Sequence, residues 1–281
     1  MATVLQVYSK AINECKEFGV LSSDIRYLIA HDMGWAEPID TLFHKDDEMT
    51  AESLFLEQYE RLKAGEPVEY ILNEARFLHH RLYVDNRVLI PRMETEELVA
   101  NISERIGAYY DARNWLVCAD IGTGSGAIAI ALKSIFKNWL ITASDISADA
   151  LEVAKKNIQD CGQRIQVLQG SGLQPYIDAN MNLDIIVSNP PYILNKDEVQ
   201  ESVKKYEPAT ALYLNKEQSV YEDIFANYQK VKKGGLLMCF EIGYDLKDYL
   251  EDLMKKYLKD YEYEFIQDLN GLLRFLFVYC K

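Results

Sequence analysis

A chain of 281 residues, 49% of them hydrophobic, has the length of about two domains and ample material for a packed core. Its net charge of -14, from 44 acidic against 30 basic residues, argues against a nucleic-acid binder and leaves simple solubility or a basic protein partner. The apolar runs fall far short of the about 18 residues of a membrane span, no charged-then-apolar leader is seen, and Cys15, Cys118, Cys161, Cys239 and Cys280 form no CxxC pair. A cytoplasmic protein without membrane anchor, disulfide framework or metal site is expected.

Residues 1–65 predict a small helical domain. Val4, Val7, Tyr8, Ala11, Ile12 and Cys15 fall at helical spacing. Ser22 and Ser23 are candidate caps for a helix from Asp24 to Met33, stopped by Gly34. Thr50 is the candidate cap of a third helix, with Leu54, Phe55, Tyr59 and Leu62 on one stripe and Gly65 and Pro67 closing it. Residues 66–92 change period: Tyr70–Leu72, Phe77–Leu78 and Leu82–Val84 predict short strands, with Asp85–Asn86 as a turn, in a hairpin linker. A helix then opens at Glu94 or Thr95 and runs to about Tyr110, with Arg92 behind Pro91 and beside three glutamates.

Residues 93–281 alternate strand and helix. Strands are predicted at 116–120, 139–144, 165–168, 183–188, 236–242, 264–268 and 272–279, with helices at 125–136 and 148–157. That order implies a mainly parallel sheet with helices on both faces, the Rossmann-like α/β class. Asn270-Gly271 joins the last two strands as a hairpin, adding an antiparallel strand at or near an edge.

Two strand ends carry the chemistry. The first is Asp120-Ile121-Gly122-Thr123-Gly124-Ser125-Gly126, whose alternate glycines let a ligand approach bare backbone. A glycine loop alone is a weak signal, since nicotinamide enzymes use a similar one. Here, however, Asp120 would oppose a phosphate and could pair with an ammonium group. Asp145 ends the next strand about 20 residues on, where a carboxylate typically takes ribose hydroxyls. An amino acid, a ribose and no phosphate describe S-adenosylmethionine. The second strand end is Ser188-Asn189-Pro190-Pro191-Tyr192. Both prolines lack an amide hydrogen and force the chain out of the ladder. The Asn189 side-chain oxygen and the Pro190 carbonyl are two acceptors suited to a planar –NH2 group, and Tyr192 can stack on its carrier.

This constellation resembles the class I amino-methyltransferases, and the chain is similar to the HemK/PrmC family. Those enzymes methylate the glutamine of the Gly-Gly-Gln loop of class 1 peptide chain release factors. The resemblance runs almost end to end, through residues 24–34, 65–71, Ile90 to Glu96, the glycine loop, Ser188 to Ile193, Tyr206-Glu207-Pro208, Glu241-Ile242-Gly243 and Asp268 to Gly271. It implies a cofactor site at Asp120, Gly122, Thr123, Gly124, Ser125, Gly126, Asp145, Gly172 and Asn189, and a catalytic corner at Asn189, Pro190, Pro191 and Tyr192. The implied cofactor is S-adenosylmethionine, leaving as S-adenosylhomocysteine, and the implied partner is a release factor, with no nucleic acid or membrane and a monomeric chain. Met93 stands where a second proline is usual, Asn73 where glycine is, and Gly170-Ser171 in place of a Gly-Asp that commonly reads adenine. Two alternatives share the corner: enzymes that methylate a ribosomal-protein glutamine, whose helix start reads Pro-Arg-Ser-Pro, and DNA amino-methyltransferases, which usually carry a basic target-reading segment.

Overall fold

The computed structural model describes residues 2–15, 17–110, 115–195, 197 and 199–281. They form two compact units, Met1–Glu74 with Gln200–Tyr206, and Ala75–Val199 with Glu207–Lys281.

The first unit is helical. Helices α1 (Val4–Cys15), α2 (Ser22–Asp32), α3 (Asp40–Phe43), α4 (Glu52–Lys63) and α5 (Val68–Leu72) follow one another. Their apolar stripes meet in one core around Val7, Ile25, Leu28, Phe55, Tyr59 and Leu62. Leu54 is 47% exposed, because it lies one residue off the 55/59/62 face of α4. Neither predicted cap forms: Leu21 precedes α2 and Ala51 precedes α4, both without a side-chain cap bond. Where an apolar run predicts strand, Tyr70–Leu72 are helical. Four of the five residues of α5 are buried, so its hydrophobic pattern has no periodicity to distinguish helix from strand. Asn73 ends α5 at φ 53°, a left-handed turn that asparagine tolerates where glycine is the usual solution.

The second unit opens on a small hairpin, β1 (Ala75–Phe77) and β2 (His80–Leu82), with Leu78 at φ 50° in its turn. Helix α6 (Met93–Tyr109) follows. Then come β3 (Val117–Ile121), α7 (Ala127–Ile135), β4 (Leu140–Asp145), α8 (Ala148–Asp160), β5 (Gln166–Gln169), α9 (Gln174–Asp178) and β6 (Leu183–Ser188). Helix α10 (Glu201–Tyr206) belongs to the first unit. Beyond it lie α11 (Ala209–Leu212), α12 (Val220–Asn227), β7 (Lys232–Glu241), α13 (Lys247–Tyr257), β8 (Tyr261–Gln267) and β9 (Leu273–Cys280).

The strands make one seven-stranded sheet in the order β5-β4-β3-β6-β7-β9-β8, parallel through β7, with β9 antiparallel to both its neighbours. Alternate residues feed opposite cores. Cys118, Ile185 and Leu237 face α6 and α7, while Ala119, Ile186 and Met238 face α12 and α13. The hairpin after β8 is longer than a two-residue turn. Asp268 leaves the strand and accepts the amides of Asn270 and Leu272 at 2.9 and 3.0 Å. The chain runs outward from β3 to β4 and β5, then returns to place β6 on the other side of β3. In an open α/β sheet this reversal leaves a crevice at the carboxyl ends of β3 and β6.

Candidate active site

The glycine loop sits at the end of β3. Gly122, Gly124 and Gly126 have φ of 71°, 54° and 86°, a region that costs other residues about 1–2 kcal/mol each. Gly122 and Thr123 both donate to the Ser144 carbonyl at 2.8 and 2.9 Å, which ties the loop to the neighbouring strand. Asp145 accepts the Gly124 amide at 2.9 Å with one oxygen and the Ser147 amide at 2.9 Å with the other. Burial raises its pKa from the ordinary aspartate value, against the lowering effect of those amides.

Asp120 lies beneath this loop. Its side chain is fully buried, and Oδ2 accepts from the Thr123 hydroxyl at 2.6 Å and the Ala129 amide at 3.1 Å. Burial pushes its pKa up to about 7, against the lowering effect of those two bonds. A carboxylate thus occupies the start of α7, where a phosphate would need the free amides. Asp120 therefore shapes the loop from below and does not line the cavity above it.

One clamp on the loop carries no sequence motif. The buried Asn157 of α8 donates to the Ser125 carbonyl at 2.8 Å and to the Tyr83 carbonyl at 2.9 Å, and accepts the Tyr83 amide at 2.7 Å. It reads in the sequence as one more polar residue at a helix end.

The proline corner ends β6. Ser188 donates to the Ile121 carbonyl at 2.6 Å, joining the two strand ends where Ile121 and Ser188 are in register. Asn189 Nδ2 donates to Thr95 Oγ1 at 3.1 Å. Thr95 in turn donates to Glu241 Oε2 at 2.7 Å, and the Tyr192 hydroxyl donates to Glu241 Oε1 at 3.2 Å. Thr95 and Glu241 are both buried. Tyr192 lies under the Arg274 guanidinium, 5.8 Å from its ring centre, and burial raises its pKa. Arg92 does not use the glutamates beside it. It pairs with the buried Glu207 at 2.5 Å, while Glu96 and Glu97 accept the amides of Leu78 and Leu269.

A cavity of about 950 Å³ joins the two strand ends. Gly122, Thr123, Gly124, Ser125, Asp145, Gly172, Asn189, Pro190 and Pro191 line it, as do Arg92 and Thr95. Asp120, Gly126 and Tyr192 stand behind that wall. Ser171 is at the surface of the cavity, and the carboxylate on this side comes from α12. There, Asp223 accepts the Leu173 amide at 2.8 Å and packs so closely over Gly172 that a Cβ at 172 would lie 1.8 Å from its oxygen. The lining arginines are already paired, Arg87 with Asp85 and Arg92 with Glu207, and Glu222 is held by Lys256 and Tyr257. The carboxylates of Asp145 and Asp223, by contrast, line the space without a cationic partner among the described residues. The electrostatics suit a cationic ligand of cofactor size rather than a phosphate.

An open parallel sheet that carries a glycine loop, an acid on the next strand and an asparagine-proline corner at its reversal point defines a class I methyltransferase. The chain matches the methyltransferase small domain over residues 98–234 and the PrmC N-terminal domain over residues 6–72. It is 33% identical over 276 residues to a release factor glutamine methyltransferase of Bacillus subtilis (strain 168), covering 96% of each chain. It is 39% identical over 223 residues to one of Chlorobaculum tepidum, covering 76% of this chain and 74% of that one. Among solved structures, the catalytic domain of hMettl16 superposes with a TM-score of 0.52 at 16% identity, over 71% of this chain and 74% of that chain, a likeness of fold alone. The chain belongs to the HemK/PrmC family of release factor glutamine methyltransferases.

Proposed function

We propose that the protein transfers a methyl group from S-adenosylmethionine to the side-chain amide nitrogen of a release-factor glutamine, the one in a Gly-Gly-Gln motif, with Asn189 and Pro190 as the aligning acceptors. Membership of the family makes the chain a protein glutamine methyltransferase. The observation that carries the finer reading is the orientation of Asn189. One hydrogen of its Nδ2 goes to Thr95, and no protein partner takes its Oδ1 among the described residues. Among the described residues the Pro190 carbonyl likewise has no backbone donor.

The acidic, cation-suited cavity fits the cofactor. Asp145 would hold its ribose, the backbone from Gly122 to Gly126 its amino-acid end, and the stretch Gly170–Gly172 its base. When bound, the cofactor supplies a methyl group already activated on a sulfonium. The protein's own task is then alignment. An amide nitrogen is a poor nucleophile because its lone pair is delocalised into the carbonyl. Two acceptors that take both N–H groups fix the plane of the substrate amide and favour pyramidal character at nitrogen. That is stabilisation which grows toward the transition state. Positioning of this kind is worth about 7–11 kcal/mol in favourable intramolecular cases. Once the methyl is transferred, the extra proton leaves the nitrogen to water.

The test is methyl transfer from labelled S-adenosylmethionine to a purified release factor, with a ribosomal protein and naked DNA as parallel substrates. Label on the glutamine of the release factor alone is the expected result. Label on DNA or the ribosomal protein at a comparable rate would overturn it.

A further inference from the structure

The buried hydrogen bonds behind Asn189 say more than where one amide points. We propose that Thr95 and Glu241 are positioning residues for the reaction, a hydroxyl–carboxylate relay that keeps the Asn189 oxygen turned toward the substrate amide. The inference rests on the reading that Asn189 Oδ1 accepts a hydrogen of that amide.

The argument is one of donor counting. A threonine hydroxyl has a single proton. Thr95 gives it to Glu241 Oε2 at 2.7 Å, in a buried setting, so its oxygen is left only as an acceptor toward Asn189. The amide must then present Nδ2 to Thr95, as it does at 3.1 Å, and Oδ1 to the cavity. Turning the amide over would set two acceptors against each other, with an unpaired donor facing the substrate's own N–H groups.

Glu241 sets the direction of the relay because a carboxylate only accepts. Thr95 donates to one of its oxygens and Tyr192 to the other, at 2.7 and 3.2 Å. Its backbone is fixed by the ladder to β9 and by the Tyr221 hydroxyl, which donates to its carbonyl at 2.8 Å. No ion pair neutralises it among the described residues. The guanidinium of Arg274, which acts on it only through space, lies over the Tyr192 ring and reaches Asp268 at 3.4 Å. A fully buried acid without a close counter-charge is costly. Here it is the one group that makes both neighbouring hydroxyls point inward.

The relay has a built-in titration. Burial pushes Glu241 up to about 7, against the lowering effects of Thr95, Arg274 and Tyr192 and with a further raising effect from Glu94. The groups facing it are therefore Thr95 and Glu94 of α6, Tyr192 beyond β6, Tyr221 of α12 and Arg274 of β9. Below that pH the protonated acid can donate to Thr95. The threonine proton is then released toward Asn189, and the amide is free to turn.

Single-turnover transfer to a Gly-Gly-Gln peptide should be measured for the full-length wild type, Thr95→Val, Thr95→Ser, Glu241→Gln and Asn189→Ala, alongside cofactor affinity. Thr95→Val and Glu241→Gln should lower the rate at saturating substrate by at least about tenfold, with cofactor affinity within about threefold. Thr95→Ser, which keeps the hydroxyl, should restore most of the rate. The wild-type rate should fall below about pH 7, and that limb should be absent in Thr95→Val. A near-wild-type rate in Thr95→Val, a Thr95→Ser as slow as Thr95→Val, or a pH limb that survives in Thr95→Val would overturn the relay. If Glu241→Gln fails to fold, the nearly isosteric Thr95→Val decides. A fast Asn189→Ala would sink the underlying reading itself, whereas a slow Asn189→Ala beside a fast Thr95→Val would sink only the relay.

Discussion

Asp145 accepts the backbone N–H of Gly124 at 2.9 Å, so a single carboxylate both lines the cavity and holds the glycine loop in place. Asp145→Ala should therefore do two things. Cofactor affinity should fall by at least about tenfold, and the ligand-free protein should lose about 1–3 kcal/mol as two backbone amides lose their acceptor. Calorimetry and thermal denaturation check the two separately. An unchanged dissociation constant would remove Asp145 from the cofactor site.

Asn189→Ala deletes the oxygen that the proposed function assigns as acceptor for the substrate amide, without touching the glycine loop. Transfer should drop more than about tenfold, equivalent to about 1.4 kcal/mol in barrier, while cofactor affinity stays within a few-fold. Retention of the rate would mean that the amide is not the aligning group.

Asn157→Ala should act through the loop it clamps. It leaves a buried carbonyl at Ser125 and both backbone groups of Tyr83 without partners, a cost of about 1–3 kcal/mol. A lower melting temperature together with faster cofactor dissociation is expected. A melting temperature that falls with no change in dissociation would make the clamp purely structural.

Stability of the ligand-free protein should decline as pH rises from about 4 to 7. Asp120 binds its proton more tightly in the folded state, near 7, than at its ordinary 3.8, so its contribution is complete at low pH and lost on passing the folded value. The slope is up to about 1.4 kcal/mol per pH unit for each such group. Asp120→Asn, which keeps an acceptor for Thr123 and Ala129, should flatten the decline in a melting series. An unaltered slope would mean that Asp120 is ionised throughout.

The charge of -14 bears on the partner. A Gly-Gly-Gln domain that must approach ribosomal RNA should be basic, and an acidic enzyme would steer it at low ionic strength. Asp46, Asp47 and Glu48, all exposed ahead of α4, are contributors. The second-order rate for a release factor should fall between low and moderate salt, where charges more than about 8–10 Å apart become screened, while a short Gly-Gly-Gln peptide changes little. Equal salt dependence would leave the acidity as a matter of solubility.

Much of this architecture was legible in the sequence because it is local. The run Leu183 to Ser188 is β-rich and ends in two prolines, and its boundaries emerged as read. The alternate glycines likewise marked a loop open to close approach after β3, and all three prove left-handed. What was not legible depends on tertiary partners. Four of the five residues of α5 are buried and Tyr70–Leu72 form an unbroken apolar run, so strand and helix look alike there. Thr95, Asn157 and Glu241 each carry an ordinary polar side chain in an ordinary element, and only the packed sheet shows what they hold. Asp120 was visible as an acid before a glycine loop, but not its burial beneath that loop.

The pairing of Ile121 with Ser188 brings together two corners contributed by segments 67 residues apart in the chain. Such non-local strand pairing is late and slow in folding compared with helix formation. A partly folded chain in which β6 has not yet zipped onto β3 has a glycine loop but no binding crevice. Ligand therefore has nothing to grip until the parallel core is complete and cannot template it on the way. Its binding energy is added almost entirely to the finished state. In unfolding kinetics, added cofactor should slow the unfolding limb and leave the refolding limb unchanged.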